Sequence, residues 1–123
     1  MKVKTSELIG MALDEAVAMC RGKGIEFECP SDPWLTVDGI ADQPLHSYTP
    51  STDWAQGGPI IEKEKISLEI KDDGWWVAGV CRQYNYSRTK EYMHLDHSPL
   101  IAAMRCYVAS KLGYEVEVPE ELL

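Results

Sequence analysis

Residues 98–113 read SPLIAAMRCYVASKLG and predict a helix with apolar side chains on two opposite sides. Ser98 is a favourable N-cap, Pro99 suits the first helical position, and Gly113 ends the helix. One apolar face holds Leu100, Ile101, Met104, Val108 and Leu112, and the other holds Ala102, Cys106 and Ala109. We therefore expect Pro99–Leu112 to be buried on both sides.

Arg105 lies in the middle of this helix, between the two apolar faces. A buried guanidinium needs an anion, because an unpaired charge in a protein interior is very costly. The anion is either an internal carboxylate, such as Asp14 or Asp53, or a bound phosphate or carboxylate that suits the planar guanidinium. The internal ion pair is the favoured interpretation.

The amino-terminal part of the chain predicts another helix, over residues 6–21. We expect Thr5 to cap it and Gly22 with Gly24 to end it. Its apolar face consists of residues that recur at helical spacing: Leu8, Ile9, Ala12, Leu13, Ala16, Val17 and Cys20. The opposite, polar face carries Glu7, Asp14 and Arg21.

Alternating apolar and polar residues predict a β-hairpin between the two helices. Its strands are residues 66–70 and 75–80, and Asp72-Asp73-Gly74 supplies the turn. Neighbouring residues on a strand point to opposite faces of the sheet. Trp75 and Trp76 therefore cannot both enter one core, and one of them must cover a second layer, a partner or a ligand.

Two other stretches are expected to be mostly irregular. Residues 25–60 are rich in proline, with a short strand near Trp34–Val37, and residues 81–97 are rich in tyrosine and basic groups. A last short strand is predicted within residues 114–118. The sequence thus predicts one α+β domain over residues 1–123. It has an amino-terminal helix, a central antiparallel hairpin or small sheet, a buried carboxyl-terminal helix and a short terminal strand.

Charge and motif content exclude several classes of function. The 123 residues carry a net charge of −8, which argues against binding to duplex nucleic acid. No apolar run approaches the ~20 residues that span a bilayer, so no membrane partner is expected. Four cysteines form no C-x-x-C pair and His94-x-Asp96-His97 matches no common zinc spacing, so we expect neither a metal nor a cofactor. No catalytic signature is present, and we predict that the protein is not an enzyme.

Residues 51–59, STDWAQGGP, are the leading candidate for a ligand-binding segment. Hydrogen-bonding and stacking groups lie close together in it: Thr52, Asp53, Trp54 and Gln56. Gly57 and Gly58 are interpreted as a turn that permits positive φ and close backbone approach to a ligand. The alternative is an Asx-type turn whose tryptophan fills the core.

Positive charge on this acidic chain is concentrated between residues 82 and 97. Arg82 and its basic neighbours, together with nearby tyrosines, would hold an anionic ring-bearing ligand by charge and stacking. The alternative is a solvated loop that balances nearby acids. The expected ligand site combines the 51–59 segment with Trp75, Arg82 and Arg105.

Three segments resemble the NinX-like family of phage proteins: residues 8–18, LIGMALDEAVA; residues 48–62, YTPSTDWAQGGPIIE; and residues 99–113, PLIAAMRCYVASKLG. The resemblance implies a small accessory protein of a tailed phage or prophage, made in the cytoplasm of a bacterial host. It supplies no catalytic residues to carry over. Glu15 stands where a tryptophan is expected in many members of the family.

Small phage accessory proteins often block host enzymes or antiviral systems, so the resemblance favours two functions. The first is a non-catalytic binder of a small, anionic, ring-bearing ligand, such as a nucleotide-derived immune signal of the host that a homo-oligomer sequesters. The second is an inhibitor that docks on a basic host protein through its acidic surface and exposed aromatic residues. A nucleotide hydrolase is the third, and it lacks paired metal ligands or a recognisable nucleophile.

Overall fold

The computed structural model describes residues 1–27, 32–81 and 90–123. Its helices are Gly10–Cys20 (α1), Trp54–Glu64 (α2) and Pro99–Leu112 (α3). Its strands are Lys2–Lys4 (β1), Gly24–Glu26 (β2), Trp34–Val37 (β3), Ile40–Pro44 (β4), Ile66–Ile70 (β5), Trp76–Cys81 (β6), Lys90–Asp96 (β7) and Glu115–Glu117 (β8). Within these residues the strands form three antiparallel sheets: β1 with β8, β2–β3–β4 and β5–β6–β7. The predicted α+β class is confirmed.

Helix α3 is buried between the β5–β6–β7 sheet and the two other helices. It begins and ends as predicted, since the Ser98 Oγ accepts a 3.3 Å hydrogen bond from the Ile101 N–H and Gly113 follows with a φ of +89°. Every residue from 102 to 109 is buried, which confirms the expected burial on both sides. Leu112 differs from the expectation, because it lies in the last turn and is 46% exposed.

Helix α1 is shorter than the predicted helix over residues 6–21, and Thr5 does not cap it. The Thr5 hydroxyl instead donates a 2.7 Å hydrogen bond to the Gly113 carbonyl, and the Thr5 N–H donates to the Tyr114 carbonyl at 2.8 Å. These bonds hold Thr5 at the carboxyl end of α3, so α1 begins only at Gly10, where φ is +61°. Ile9, predicted for the apolar face, precedes the helix and is 61% exposed.

Two adjacent acids of α1, Asp14 and Glu15, are each only 3% exposed. The prediction that Asp14 lies on a polar face is wrong, because the segment before α2 covers it and the Ser51 N–H donates a 2.9 Å hydrogen bond to Asp14 Oδ1. Glu15 makes no hydrogen bond or ion pair with any residue of the described ranges. Burial raises the pKa of Asp14, and it raises the pKa of Glu15 to about 7.

The stretch between residues 25 and 60 is more regular than its prolines suggested. The predicted strand at Trp34–Val37 is confirmed, and β2 and β4 pair with its two edges. Helix α2 was not predicted from the sequence. The Asp53 side chain caps it by accepting a 3.0 Å hydrogen bond from the Ala55 N–H. Gly57 and Gly58 therefore lie inside a helix, and the predicted positive-φ turn there is wrong.

The predicted hairpin is confirmed as β5 and β6, with Ile66 opposite Val80 and Ile70 opposite Trp76. Trp76 packs against the core, whereas Trp75 is 36% exposed. Strand β7 corrects the expectation that the whole of 81–97 is irregular, because it adds a third strand to the hairpin. The terminal strand is confirmed as β8, which pairs with β1.

Two neighbouring glycines of α2 are expected to respond in opposite ways to alanine. A Cβ at Gly57 would collide with the Pro50 carbonyl oxygen and the Leu100 side chain, whereas a Cβ at Gly58 meets nothing within 4 Å. Gly57→Ala should therefore lower the free energy of unfolding by about 2 kcal/mol. Gly58→Ala should raise it by up to ~1 kcal/mol, because alanine favours the helix. Urea unfolding measures both, and equal effects would contradict the helical assignment.

The carboxyl group of Glu15 should make stability fall as pH rises. Its pKa is about 7 in the folded chain, against an ordinary value of 4.5, so the folded state binds more protons between these pH values. The resulting loss reaches up to about 3 kcal/mol above pH 7. Glu15→Gln, which resembles the protonated acid, should match the wild type near pH 4.5 and exceed it above pH 7. Parallel pH profiles of unfolding free energy would contradict this assignment.

Candidate functional site

A cleft of about 420 Å³ opens where the end of α1, the end of β4 and the first turns of α2 meet. Its polar lining consists of Arg21, Lys23, Gln43, Ser47, Tyr48 and Gln56. Pro59 and Ile60 of α2 add an apolar wall. The volume falls within the range of about 300–1,000 Å³ that is common for small-molecule sites. The combination of cations, an aromatic ring and neutral hydrogen-bonding groups suits a ligand that carries both a ring and a negative charge.

Two cations follow the carboxyl end of α1. Arg21 is the residue at which the helix ends, and Lys23 comes two positions later. The Lys23 Nζ lies 4.8 Å from the centroid of the Tyr48 ring and 3.3 Å from Asp42 Oδ2. A helix carboxyl terminus stabilises cations, which accounts for two positive charges here on a chain of net charge −8. These two positive charges favour the binding of an anion in the cleft.

Tyr48 forms an aromatic wall of the cleft and is 8% exposed. Burial raises the pKa of its phenol to about 12, against the smaller, lowering effect of Arg21, so the ring stays neutral at physiological pH. Its buried hydroxyl has no hydrogen-bond partner among the residues that the structure describes. Tyr48 therefore contributes a fixed, uncharged surface rather than a titrating group.

Gln56 holds the polar side of the cleft in place. Its Nε2 donates hydrogen bonds to the Ser47 carbonyl at 3.2 Å, Thr49 Oγ1 at 3.1 Å and Asp53 Oδ2 at 3.1 Å. Its Oε1 accepts a 2.9 Å hydrogen bond from the Thr49 N–H. Opposite it, Gln43 Nε2 donates to Ser47 Oγ at 2.9 Å. The polar wall is thus organised before any ligand arrives, which lowers the entropic cost of binding.

The residues predicted for the ligand site do not come together in this cleft. Gln56 lines it, and Asp53 supports Gln56 while it caps α2. Gly57 packs against Leu100, and three predicted residues of the same segment do not line the cleft: Thr52, Trp54 and Gly58. Trp75 lies at the hairpin and contacts the His97 ring, with 4.1 Å between the centroids. Arg82 lies outside the described residues.

Arg105 is held by the protein itself. Its Nε donates a 2.8 Å hydrogen bond to the Leu8 carbonyl, and its Nη1 pairs with Asp96 Oδ2 at 2.8 Å. The favoured internal ion pair is therefore confirmed, although the acid is Asp96 and not Asp14 or Asp53. Arg105 lies outside the cleft lining. The role predicted for it, holding a ligand phosphate, has no support in this geometry.

The sequence reading missed the cations and the ring that define the cleft. Arg21 is predicted on the polar face of the first helix, Lys23 lies just before the stretch of residues 25–60 that is predicted to be irregular, and Tyr48 lies within that stretch. A pair of cations around Gly22 at a helix end was the available signal. This pair alone does not indicate a binding site. The site becomes visible only in the folded chain, where Tyr48 and Gln56 line the same cleft.

Comparison with known families finds one match that extends over most of the chain. Residues 4–111 match the family described as "Bacteriophage P22, NinX". A search of curated proteins found no match. No helix in the described part of the chain is long and apolar enough to cross a membrane.

Removing the Arg105 guanidinium should destabilise the fold. Arg105→Ala leaves Asp96 and the Leu8 carbonyl without their partner, and we expect a loss of about 3–5 kcal/mol in unfolding free energy. Asp96→Asn should cost less, since its side chain is partly exposed and its Oδ1 can still accept from the Ser98 N–H. Arg21→Ala, which removes an exposed guanidinium, is the control and should cost under about 1 kcal/mol. Urea unfolding gives the ranking, and a mild Arg105→Ala variant would contradict it.

Proposed function

This chain belongs to the NinX family of bacteriophage proteins, and we propose that it acts as a phage accessory protein by binding a small, anionic, ring-bearing ligand in the Arg21–Lys23 cleft. The ligand is held without chemical change. A nucleotide-derived immune signal of the host is the ligand class that we favour, and the protein would sequester it. The observation that carries this proposal is the pairing of two cations with an aromatic wall in a cleft of about 420 Å³.

Charge supports an anionic ligand. Lys23 and Arg21 face the cleft, and no described residue contributes a carboxylate to its lining. Lys23 pairs with Asp42, whose Oδ2 lies 3.3 Å from the Lys23 Nζ. A phosphate would compete with Asp42 for this ammonium and would gain a second cation in Arg21. Charge-assisted hydrogen bonds of this kind are roughly twice as strong as neutral ones.

The aromatic and amide groups support a ring. Lys23 now covers the face of Tyr48, with the Nζ 4.8 Å from the ring centroid. When Lys23 turns to a phosphate, that face becomes available to stack on a base. Gln43 and Ser47 supply hydrogen-bond groups at the edge of the cleft, where a base would present its polar atoms. A nucleotide satisfies the charged, aromatic and polar parts of the lining together.

The chemistry of the lining supports release of the ligand in unaltered form. Ser47 is the residue there with an aliphatic hydroxyl, and that hydroxyl donates to the Pro44 carbonyl at 2.8 Å. Within the described ranges, no histidine or carboxylate lines the cleft to take its proton. Binding without turnover suits the removal of a signal from solution. The phage context supports this role by analogy.

Isothermal titration calorimetry against mononucleotides, linear dinucleotides and cyclic dinucleotides tests the proposal. We expect saturable binding by at least one member of the panel. Lys23→Ala and Arg21→Ala should each weaken it about tenfold, the value of one charge-assisted contact. Asp42→Asn should strengthen it, because Lys23 loses its competing partner. Lys71→Ala removes the same charge from the hairpin and should change nothing.

Opposite effects of the Lys23 and Asp42 variants cannot come from general damage to the fold. The absence of heat for the whole panel, with a folded sample, would remove the proposal. Mass spectrometry of the ligand recovered after denaturation checks the non-catalytic part. Recovery of a hydrolysed product would replace sequestration by a nucleotide hydrolase.

Inhibition of a basic host protein is the second candidate function, and exposed aromatic residues favour it. Trp54 is 53% exposed on α2 and Trp34 is 39% exposed on β3, on a chain of net charge −8. Large exposed aromatics often anchor protein interfaces. A stoichiometric host partner that is lost on charge reversal of the surface acids, and kept in Lys23→Ala, would favour this function.

Trp75, at 36% exposure, is the residue through which we propose a homo-oligomer forms.

A further inference from the structure

A second hollow, separate from the cleft, lies against the face of α1 that carries Glu15. Its volume is about 320 Å³, and the ends of α1 and α3 and strand β8 enclose it. Its apolar lining includes Met19, Leu112 and Val116, and its acids are Glu15, Glu115 and Glu117. An adjoining hollow of about 550 Å³ shares Glu15, Met19 and Glu117. In the part of the chain that the structure describes, no lysine or arginine lines either hollow.

Glu15 differs from the other acids of these hollows because it is buried. It is 3% exposed, and it makes no hydrogen bond or ion pair within the described residues. A carboxyl group in that position is costly whenever it is ionised. It lines both hollows, so a ligand that enters either one reaches it. Glu15 is thus an unpartnered polar side chain directed into a space that a ligand can fill.

The charged groups around Glu15 supply no counter-ion to it. On β1, Lys4 stands opposite Glu115 and Lys2 stands opposite Glu117 in the paired strands. The amino group of Met1 also lies 2.7 Å from Glu117 Oε1 and lowers the pKa of that carboxyl. Two further acids, Glu120 and Glu121, line the larger hollow, and the protonated Cys20 thiol interacts electrostatically with Glu15. No cation among these groups pairs with Glu15.

We propose that the smaller hollow binds an organic cation whose ammonium or guanidinium head pairs with Glu15 and whose aliphatic stem packs on Met19, Leu112 and Val116. The walls fit such a ligand, because the lining combines apolar side chains with carboxylates. Helix α3 ends beside the hollow, and the partial negative charge of its last turn favours a cation there. The site is independent of the cleft at Arg21 and Lys23, since none of the described residues lines both.

Protonation of Glu15 couples this site to pH. Burial raises its pKa to about 7, so near neutral pH a large share of the molecules carry the protonated acid. A bound cation favours the ionised form and therefore expels a proton. Binding should strengthen as the pH rises through 7 and level off above it. The pKa of Glu117 is lowered by its contact with the Met1 amino group, so this acid does not produce such a step.

Calorimetric titration of the intact chain with two probes tests the proposal. Agmatine is a small dication with a guanidinium at one end of a four-carbon stem and an ammonium at the other, and acetyl-Gly-Arg-Gly-amide presents the guanidinium on a peptide. We expect at least one to bind, with an affinity that is about tenfold higher near pH 8 than near pH 6, because Glu15 changes its ionisation between them. Titration in two buffers of different ionisation enthalpy should show proton release near pH 7.

Substitutions separate the Glu15 contact from general charge attraction. Glu15→Gln should weaken binding at least about tenfold near pH 8 and abolish the pH step. Glu62→Gln removes the same charge from an exposed site on α2 and should have no effect. Leu112→Lys places an ammonium at the mouth of the hollow, from a residue that is 46% exposed, and should block both probes. If Glu15→Gln fails to fold, the Leu112→Lys variant still tests the proposal.

The outcomes identify the source of the cation. Tighter binding of agmatine indicates a free amine of low molecular weight, and tighter binding of the peptide indicates an arginine or lysine side chain of a partner protein. Absence of binding by both probes to the folded wild type would overturn the proposal. Binding that survives in both Glu15→Gln and Leu112→Lys would overturn it as well. Neither result bears on nucleotide binding in the cleft, which depends on other residues.

Discussion

A guanidinium buried in a helix that has almost no face to solvent imposes the strongest constraint on this fold. Arg105 needs acceptors at two of its nitrogens, and they come from Asp96 at the end of β7 and from the Leu8 carbonyl before α1. The same side chain thus ties the sheet and the first helix to α3. Helix α2 completes the enclosure through Gly57, whose missing side chain allows close contact with Leu100. A mixed α+β arrangement follows from these contacts around one helix.

Local signals in the sequence were sufficient for α3, for β3 and for the β5–β6 hairpin. Ser98 and Gly113 mark helix ends through their own backbone and side-chain chemistry, which tertiary contacts did not override. Helix α2 was not predictable in this way, because Gly57 and Gly58 both disfavour a helix in isolation. The Asp53 cap and the packing against α3 outweigh that preference. The prediction that Asp14 lies on a polar face failed for a related reason. Its burial depends on contact with Ser51, which is 37 positions away in the sequence.

The candidate site was less predictable than the fold. Gln56 was identified because a side-chain amide beside an aromatic residue is a frequent component of binding segments, and it does line the cleft. Lys23 and Tyr48 were missed because they come together only where the end of α1 meets the turn after β4. The resemblance to phage proteins, by contrast, needed no structure and is confirmed by the family match over residues 4–111. Sequence identified the family, and tertiary structure was required to find the cleft.

The pairing of β1 with β8 joins residues from the two ends of the described chain, with Val3 opposite Val116. Contacts of such sequence separation close a very long loop, and they form late in folding. A ribbon of two strands is also marginal by itself, so it is the element that local fluctuations open first. Strand β8 supplies one wall of the hollow at Glu15. Opening of the ribbon therefore removes one wall of that hollow, and amide hydrogen exchange in β1 and β8 reports how often this happens.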